Sequence, residues 1–385
     1  MIRLGLCCIN TKLRKQDIFC SRTMIRKNFS VEKAKELSIK NIQDIEKMAE
    51  WNCKNNIFVF RISSEIFPHF TDNETEPYTL DFALDALKQA GEICRKYNQR
   101  ITMHPGQFNQ VGAKDKNVFR NTIKDLKMHA DILDAMGMNN DSVICVHGGG
   151  VYGNIKDTTE RWIRQFSELP ENVKRRLAIE NCERCYNIID CLKIAETCNI
   201  PLIFDCHHYE CYNIIKKIKI NIEDYMTRIV DTWKKRNIRP LFHISEQRPD
   251  SRIGAHSDFI EKLPEYYLSF PERYGNLDIE IEAKLKEQAI FKLYKLYPFL
   301  LETNQDHKED HKEDYKEDIL KNIPKIVKKK KIITDQDIEQ ITSQEIIIKR
   351  CLKPKIIENK KKRIITDEEI PKKKKIITDE ETEHY

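Results

Sequence analysis

Six short apolar runs in this chain each stop at a side chain able to bind a metal. Ile101-Thr102-Met103 ends at His104, Val143-Ile144-Cys145-Val146 at His147, and Leu177-Ala178-Ile179 at Glu180. Leu202-Ile203-Phe204 ends at Asp205, with His207 and His208 directly after it, while Pro240-Leu241-Phe242 ends at His243 and Ile279-Glu280-Ile281 at Glu282. A further histidine, His256, stands in the loop Gly254-Ala255-His256-Ser257-Asp258. Imidazoles and carboxylates hold divalent ions such as Mn2+, Zn2+ and Fe2+. One histidine after an apolar run is most often a packed or capping side chain. A series of such residues, one per run, points to a shared metal site.

The elements that would gather these residues are legible in the same stretches. Residues 2–8 read as a first strand, and Ile57 to Ser63, rich in β-branched and aromatic residues, as a second. Between them, Ser30 can cap a helix to Glu50 in which Leu37, Ile39, Ile42, Ile45 and Met48 recur at helical spacing. Further helices are expected over Thr79–Tyr97, Asn117–Met136, Thr158–Leu169, Ile188–Cys198, Ile222–Trp233 and Glu287–Leu300, each between two of the strands or after the last. Eight strands alternating with helices predict an α/β fold, a closed (β/α)8 TIM barrel, whose strand ends all meet at one face. Residues far apart in sequence then converge there without any special loop.

The whole chain sets the remaining bounds. At 385 residues with a 40% hydrophobic fraction there is material for one large core, and a net charge of +6 is too small for this length to announce nucleic acid by itself. Thirteen cysteines without the spacing of a disulfide framework, and an N-terminus too short in apolar character for a signal peptide, predict a soluble intracellular protein, with nucleus and cytoplasm not separated. The Cys182/Cys185 and Cys206/Cys211 pairs read as structural thiols. No stretch reaches membrane-spanning length, so no membrane partner is expected. After about residue 303 the composition changes. Asp306 to Asp318 is a mixed-charge repeat, and the unit Lys-Lys-Lys-Lys-Ile-Ile-Thr-Asp at 328–335 returns, once with an Arg, at 360–367 and 372–379. Residues 1–303 therefore read as the barrel domain, and 304–385 as a disordered, low-complexity tail.

Four segments carry a family resemblance. Arg61-Ile62-Ser63-Ser64-Glu65-Ile66-Phe67-Pro68, His104-Pro105-Gly106-Gln107-Phe108, Gly254-Ala255-His256-Ser257-Asp258 and Ile281-Glu282-Ala283-Lys284 together resemble the ultraviolet-damage endonucleases, relatives of the endonuclease IV barrels, over about residues 1 to 300. The resemblance implies a TIM barrel with a cluster of divalent metals, usually Mn2+, with Zn2+, Co2+ or Mg2+ as alternatives. It also implies a monomer that nicks damaged double-stranded DNA 5′ to photoproducts and leaves a 3′-hydroxyl. Carried onto this chain, the family's ligands match His104, His147, Glu180, Asp205, His208, His243, His256 and Glu282, with Glu180 similar to a bridging carboxylate. DNA and lesion contacts fall on Asn10, Gln107 and Phe108. Three positions depart from the pattern. Leu241 stands where a lysine, modified to a carbamate beside the metals, is usual, and Leu6 and Phe108 stand where tyrosine is common. Loss of the lysine removes an anionic neighbour of the metals.

The chemistry expected of such residues is metal-assisted phosphodiester hydrolysis, with Glu180, Asp205 and Glu282 setting the negative charge of the cluster. Phe108 would be an apolar wedge beside an easily opened lesion, with Gln107 offering its amide. The rival readings are an abasic-site endonuclease of the endonuclease IV kind, a metal-dependent sugar isomerase on the same barrel, and a non-catalytic DNA-binding barrel.

Overall fold

The computed structural model describes residues 1–302. The expected tail, 304–385, lies outside the described residues. Eight parallel strands form one sheet: β1 (Ile2–Cys7), β2 (Val59–Ile62), β3 (Arg100–Met103), β4 (Ile144–His147), β5 (Leu177–Glu180), β6 (Leu202–Ile203), β7 (Leu241–Ile244) and β8 (Leu277–Ile281). Their order is β6-β5-β4-β3-β2-β1-β8-β7, and a single parallel bridge between Asp205 and His243, with the His243 amide donating to the Phe204 carbonyl at 3.0 Å, brings the two outer strands together. The closure is thus made by two of the expected metal ligands. The architecture is the expected TIM barrel.

Strand alternation sorts the side chains. On β1, β4 and β5 the residues Ile2, Leu4, Leu6, Ile144, Val146, Leu177 and Ile179 belong to the large core shared with the surrounding helices. The alternate positions Val59, Val143, Cys145, Ala178, Ile203 and Leu241 form a second buried cluster with Trp233, inside the barrel. Gly5 belongs to this inward set, and a Cβ there would come within 2.9 Å of Val59 Cβ and 3.2 Å of Glu280 Cγ. A bare backbone at position 5 leaves Glu280 its room.

The principal helices are α1 (Val31–Lys54), α2 (Leu84–Lys96), α3 (Lys116–Ala135), α4 (Ile155–Phe166), α5 (Ile188–Cys198), α6 (Cys206–Lys216), α7 (Glu223–Lys234) and α8 (Glu287–Leu296). Ser30 caps α1 as expected, its hydroxyl accepting from Lys33 N at 3.2 Å. Three boundaries differ from the sequence expectation for identifiable reasons. α2 starts at Leu84, after a 3-10 turn over Asp81–Ala83 that takes up the first residues of the expected helix. α4 starts earlier, at Ile155, because Asn154 caps it by accepting from Asp157 N at 2.8 Å. The last expected helix is interrupted before Pro298, which cannot donate within a helix, and resumes as a short turn over Phe299–Glu302. The helix α6 had no counterpart in the sequence reading.

No helix among the described residues is long and apolar enough to cross a membrane.

Candidate metal centre

Glu180 is fully buried at the C-terminal end of β5, and its two carboxylate oxygens are the meeting point of the site. His104 Nε2, from the end of β3, lies 3.0 Å from Oε2, and His147 Nε2, from the end of β4, lies 3.8 Å from the same oxygen. His243 Nδ1, on β7, lies 3.1 Å from Oε1, and His208 Nδ1 lies 3.2 Å from it. The Cys145 thiol donates to Oε2 at 3.0 Å from below. Four imidazoles and one thiol from three strands and one helix therefore address a single carboxylate.

The remaining expected donors flank this cluster. Asp205 follows β6 and caps α6, its Oδ1 accepting from His208 N at 2.7 Å, so the carboxylate that ends the strand also starts the helix that carries His208. Glu282 Oε1 lies 3.5 Å from His243 Nδ1 and is held at 2.5 Å by Arg61 Nη1, which also reaches Glu280 Oε2 at 3.4 Å. His256 Nδ1 is 2.8 Å from the Glu282 carbonyl and 3.8 Å from its Oε2. The neighbouring His207 instead packs against Cys211, with Nε2 3.6 Å from Sγ, and its ring edge faces His256. All eight expected ligands are thus brought to one end of the barrel.

Two features show that these residues fit divalent ions. The first is unmet bonding capacity: His147 Nδ1, Asp205 Oδ2, His243 Nε2 and Glu280 Oε2 are buried without a hydrogen-bond partner, which a protein interior rarely tolerates unless something else binds there. His243 Nε2 is 3.1 Å from Glu280 Oε2, but not in hydrogen-bonding alignment. The second is charge. Burial alone would raise the carboxyl of Glu180, yet His243 and His147, with hydrogen bonds from His104 and His208, hold it well below the usual range. Burial would likewise lower His208 and His243, but Asp205 and Glu180 for the first, and Glu180 and Glu280 for the second, pull both well above an ordinary histidine. The carboxylates thus draw positive charge onto the cluster, the charge a dication would supply. His147 behaves differently: burial takes it down to about 4, the neutral form a ligand needs. Ligand atoms fall into three groups within 4.8 Å of one another: His104, Cys145, Glu180 and His243; His147, Glu180 and His208; and Asp205, His243 and Glu282.

The expected DNA contacts separate. Gln107 and Phe108 lie in the loop after β3, both exposed, and Phe108 is 64% exposed. The ring of Phe108 rests over Gly106, where a Cβ would come within 2.5 Å of ring atom Cε1, so the glycine lets the aromatic side chain stand beside the site. Tyr152, 41% exposed, donates its hydroxyl to Gln110 Oε1 in the adjacent loop. Asn10 departs from expectation. It is fully buried, capping the short helix Thr11–Arg14 by accepting from Leu13 N at 2.9 Å, so its side chain does not reach the surface in this arrangement.

Against families and known proteins, the described features have close counterparts. Residues 2–338 match the family model described as UV-endonuclease UvdE. The chain belongs to the UV-damage endonuclease family. It is 40% identical over 316 residues to the putative UV-damage endonuclease of Acanthamoeba polyphaga mimivirus, covering 80% of this chain and 94% of that protein. It is 35% identical to the UV-damage endonuclease of Schizosaccharomyces pombe over 77% of this chain, a match spanning 50% of that longer protein. Among solved structures, the crystal structure of SacUVDE superposes with a TM-score of 0.70 at 30% identity, over 78% of this chain and 99% of that one.

Sequence reasoning missed three members of the site. Arg61, Glu280 and Cys145 all lie within the segments named above, where none was given a role. A usable signal exists for the last two. Each stands two positions before a ligand on its strand, Cys145 before His147 and Glu280 before Glu282, and so faces the same way. The Cys182/Cys185 pair is structural in form, with Cys182 Sγ accepting from the amides of Cys185 at 3.2 Å and Tyr186 at 3.1 Å. It joins none of the three ligand groups found among the described residues.

Proposed function

We propose that this family member is a metal-dependent endodeoxyribonuclease that nicks ultraviolet-damaged double-stranded DNA on the 5′ side of the photoproduct and leaves a 3′-hydroxyl for excision repair. The observation that carries the reading is the convergence on Glu180, in a family whose named members are UV-damage endonucleases. The cofactor is a set of divalent ions, with Mn2+ the first candidate, held by His104, His147, Glu180, Asp205, His208, His243, His256 and Glu282. When bound, such ions supply an activated water, neutralise phosphoryl charge and stabilise the departing oxygen.

The chain's own residues set the terms of that chemistry. Glu180 presents Oε2 to His104 and His147 and Oε1 to His208 and His243, so either oxygen could reach an ion held among them. Glu282 and Asp205 add negative charge, and the histidines bring ligands without adding more. Arg61, at 2.5 Å from Glu282, keeps that carboxylate ionised and aimed. At the rim, Phe108 presents an apolar face to fill the space beside an opened lesion, where the lost stacking makes opening less costly than in intact DNA. Gln107 offers amide donors and acceptors to the opposite strand.

The test is nicking of supercoiled plasmid with Mn2+, using irradiated, abasic and intact DNA in parallel at one salt concentration. Preferential nicking of the irradiated plasmid, abolished by chelator, is expected. Cutting of the abasic plasmid alone would move the protein to the abasic-site class. No cutting of any plasmid by protein with bound metal would overturn the endonuclease reading.

A further inference from the structure

Among the described residues Cys145 is the one thiol that touches the Glu180 carboxylate, and its place in the barrel makes it more than a filler. It lies in β4, two residues before His147, and faces the barrel interior from the layer directly beneath the imidazoles. The apolar residues clustered with it in the barrel interior are Val59, Val143, Ala178, Ile203 and Leu241. A small core position there would be served equally well by alanine or valine. The sulfur instead sits 3.0 Å from Glu180 Oε2, and its ligand atom lies with those of His104, Glu180 and His243 inside a 4.8 Å span. A tetrahedral shell with bonds of about 2.0–2.3 Å has ligand-to-ligand edges of roughly 3.3–3.8 Å, so this spacing accommodates one ion with modest adjustment. His243 is fully buried in the same group, with Nδ1 3.1 Å from Glu180 Oε1, so the imidazole faces the same carboxylate as the thiol.

We propose that Cys145 is a thiolate ligand of the metal centre, so that one ion is held by Cys145, His104, Glu180 and His243. The proposal rests on reading the cluster as a metal centre. On binding, the S–H bond breaks, a sulfur–metal bond forms and the proton passes to solvent. A sulfur donor favours borderline and softer ions, so this position selects Zn2+ or Co2+ over Mn2+. The remaining donors, His147 and His208 around Glu180, with Asp205 and Glu282 beside them, are nitrogen and oxygen only and leave room for a harder ion such as Mn2+. The centre is then chemically mixed, with one position unlike the rest.

The experiment is cobalt spectroscopy on the full chain. Visible d–d bands report that Co2+ is bound at all, and a near-ultraviolet sulfur-to-cobalt charge-transfer band reports a thiolate. Wild-type protein is expected to show both. Cys145→Ser should keep the d–d bands, lose the charge-transfer band, and bind Zn2+ more than about tenfold more weakly, beyond the lower bound for loss of an outer-shell partner. A chain carrying Cys182→Ser and Cys185→Ser should keep both bands. If Cys145→Ser does not fold, X-ray absorption of the zinc-loaded double variant decides the matter, with a sulfur at about 2.3 Å expected. Bound cobalt without the charge-transfer band, survival of that band in Cys145→Ser, or a zinc shell of nitrogen and oxygen alone would overturn the thiolate and leave the metal centre standing. Absence of bound cobalt by d–d bands and dialysis would instead overturn the metal reading itself, and the proposal with it.

Discussion

At the N-terminal end of the barrel interior Asp278 meets Arg3, Arg100 and Arg239, whereas at the C-terminal end Glu180 meets four imidazoles and a thiol. Asp278 Oδ1 accepts from Arg3 Nε at 2.8 Å and Arg239 Nη1 at 3.1 Å, and Oδ2 accepts from Arg3 Nη2 at 2.8 Å and Arg100 Nη1 at 2.9 Å. Both oxygens of this carboxylate are therefore fully engaged. Burial would raise Asp278, but the three guanidinium groups, Arg3 foremost, bring it down to about 2. The upper cluster is built from the same kind of buried charge, yet His147 Nδ1 and Asp205 Oδ2 are buried without a hydrogen-bond partner. Both ends carry the desolvation cost of buried charge. The carboxylate of the lower cluster is fully paired within the fold, whereas the upper cluster keeps capacity for a ligand.

That contrast can be broken most sharply at Glu180. Glu180→Gln keeps the shape and removes the charge, and nicking of irradiated DNA should fall by about a thousandfold or more, roughly 4 kcal/mol in the barrier. Its urea midpoint in chelator should hold or rise, because the upper cluster is not what keeps the barrel folded. Removing Asp278 should do the reverse. Asp278→Ala leaves buried arginines uncompensated and should lower unfolding free energy by about 3–5 kcal/mol, with metal content per folded chain unchanged.

The lower cluster also has a pH signature. Because the folded carboxyl is depressed from 3.8 to about 2, its contribution is fully present above pH 3.8 and disappears as pH falls through 2. At 1.36 kcal/mol per unit this amounts to about 2 kcal/mol. The stability gap between wild type and Asp278→Asn should narrow by that amount between pH 5 and pH 2, measured by urea unfolding. The smallest expected effect is at the rim. Phe108→Ala should reduce the preference for irradiated over intact DNA by about tenfold, near the lower end of what a stacked base contributes. Stability should change by no more than about 0.5 kcal/mol, since the ring is exposed.

The same contrast explains what could be read from sequence. The upper donors His104, His147, Glu180, Asp205, His243 and Glu282 each end an apolar run, so a parallel barrel must bring them together, and strand period and fold class suffice to find them. Asp205 was legible as a donor but not as a helix cap, because the helix it starts carries two histidines, two cysteines and two tyrosines and lacks a clear apolar stripe. The resemblance carries a DNA contact onto Asn10, but a cap residue is placed by backbone geometry that motif matching does not contain. The lower cluster escaped entirely: Arg3, Arg100, Arg239 and Asp278 precede or begin their strands, and only the register of the closed sheet shows that they meet. Cys145 escaped for another reason. Cysteine is a common core residue, and its meaning depends on which neighbour its sulfur faces.

With a metal centre at the upper end of the barrel and a brace at the lower, divalent-ion stoichiometry separates the two most directly. Wild type, Glu180→Gln and Asp278→Asn would be stripped with chelator, dialysed against Mn2+ or Zn2+, and assayed for bound ion per folded chain. Wild type and Asp278→Asn should each bind more than one ion, and Glu180→Gln should lose most of that binding while remaining folded. Equal binding by Glu180→Gln, or a loss by Asp278→Asn as large as that of Glu180→Gln, would contradict the division of roles between the two ends of the barrel.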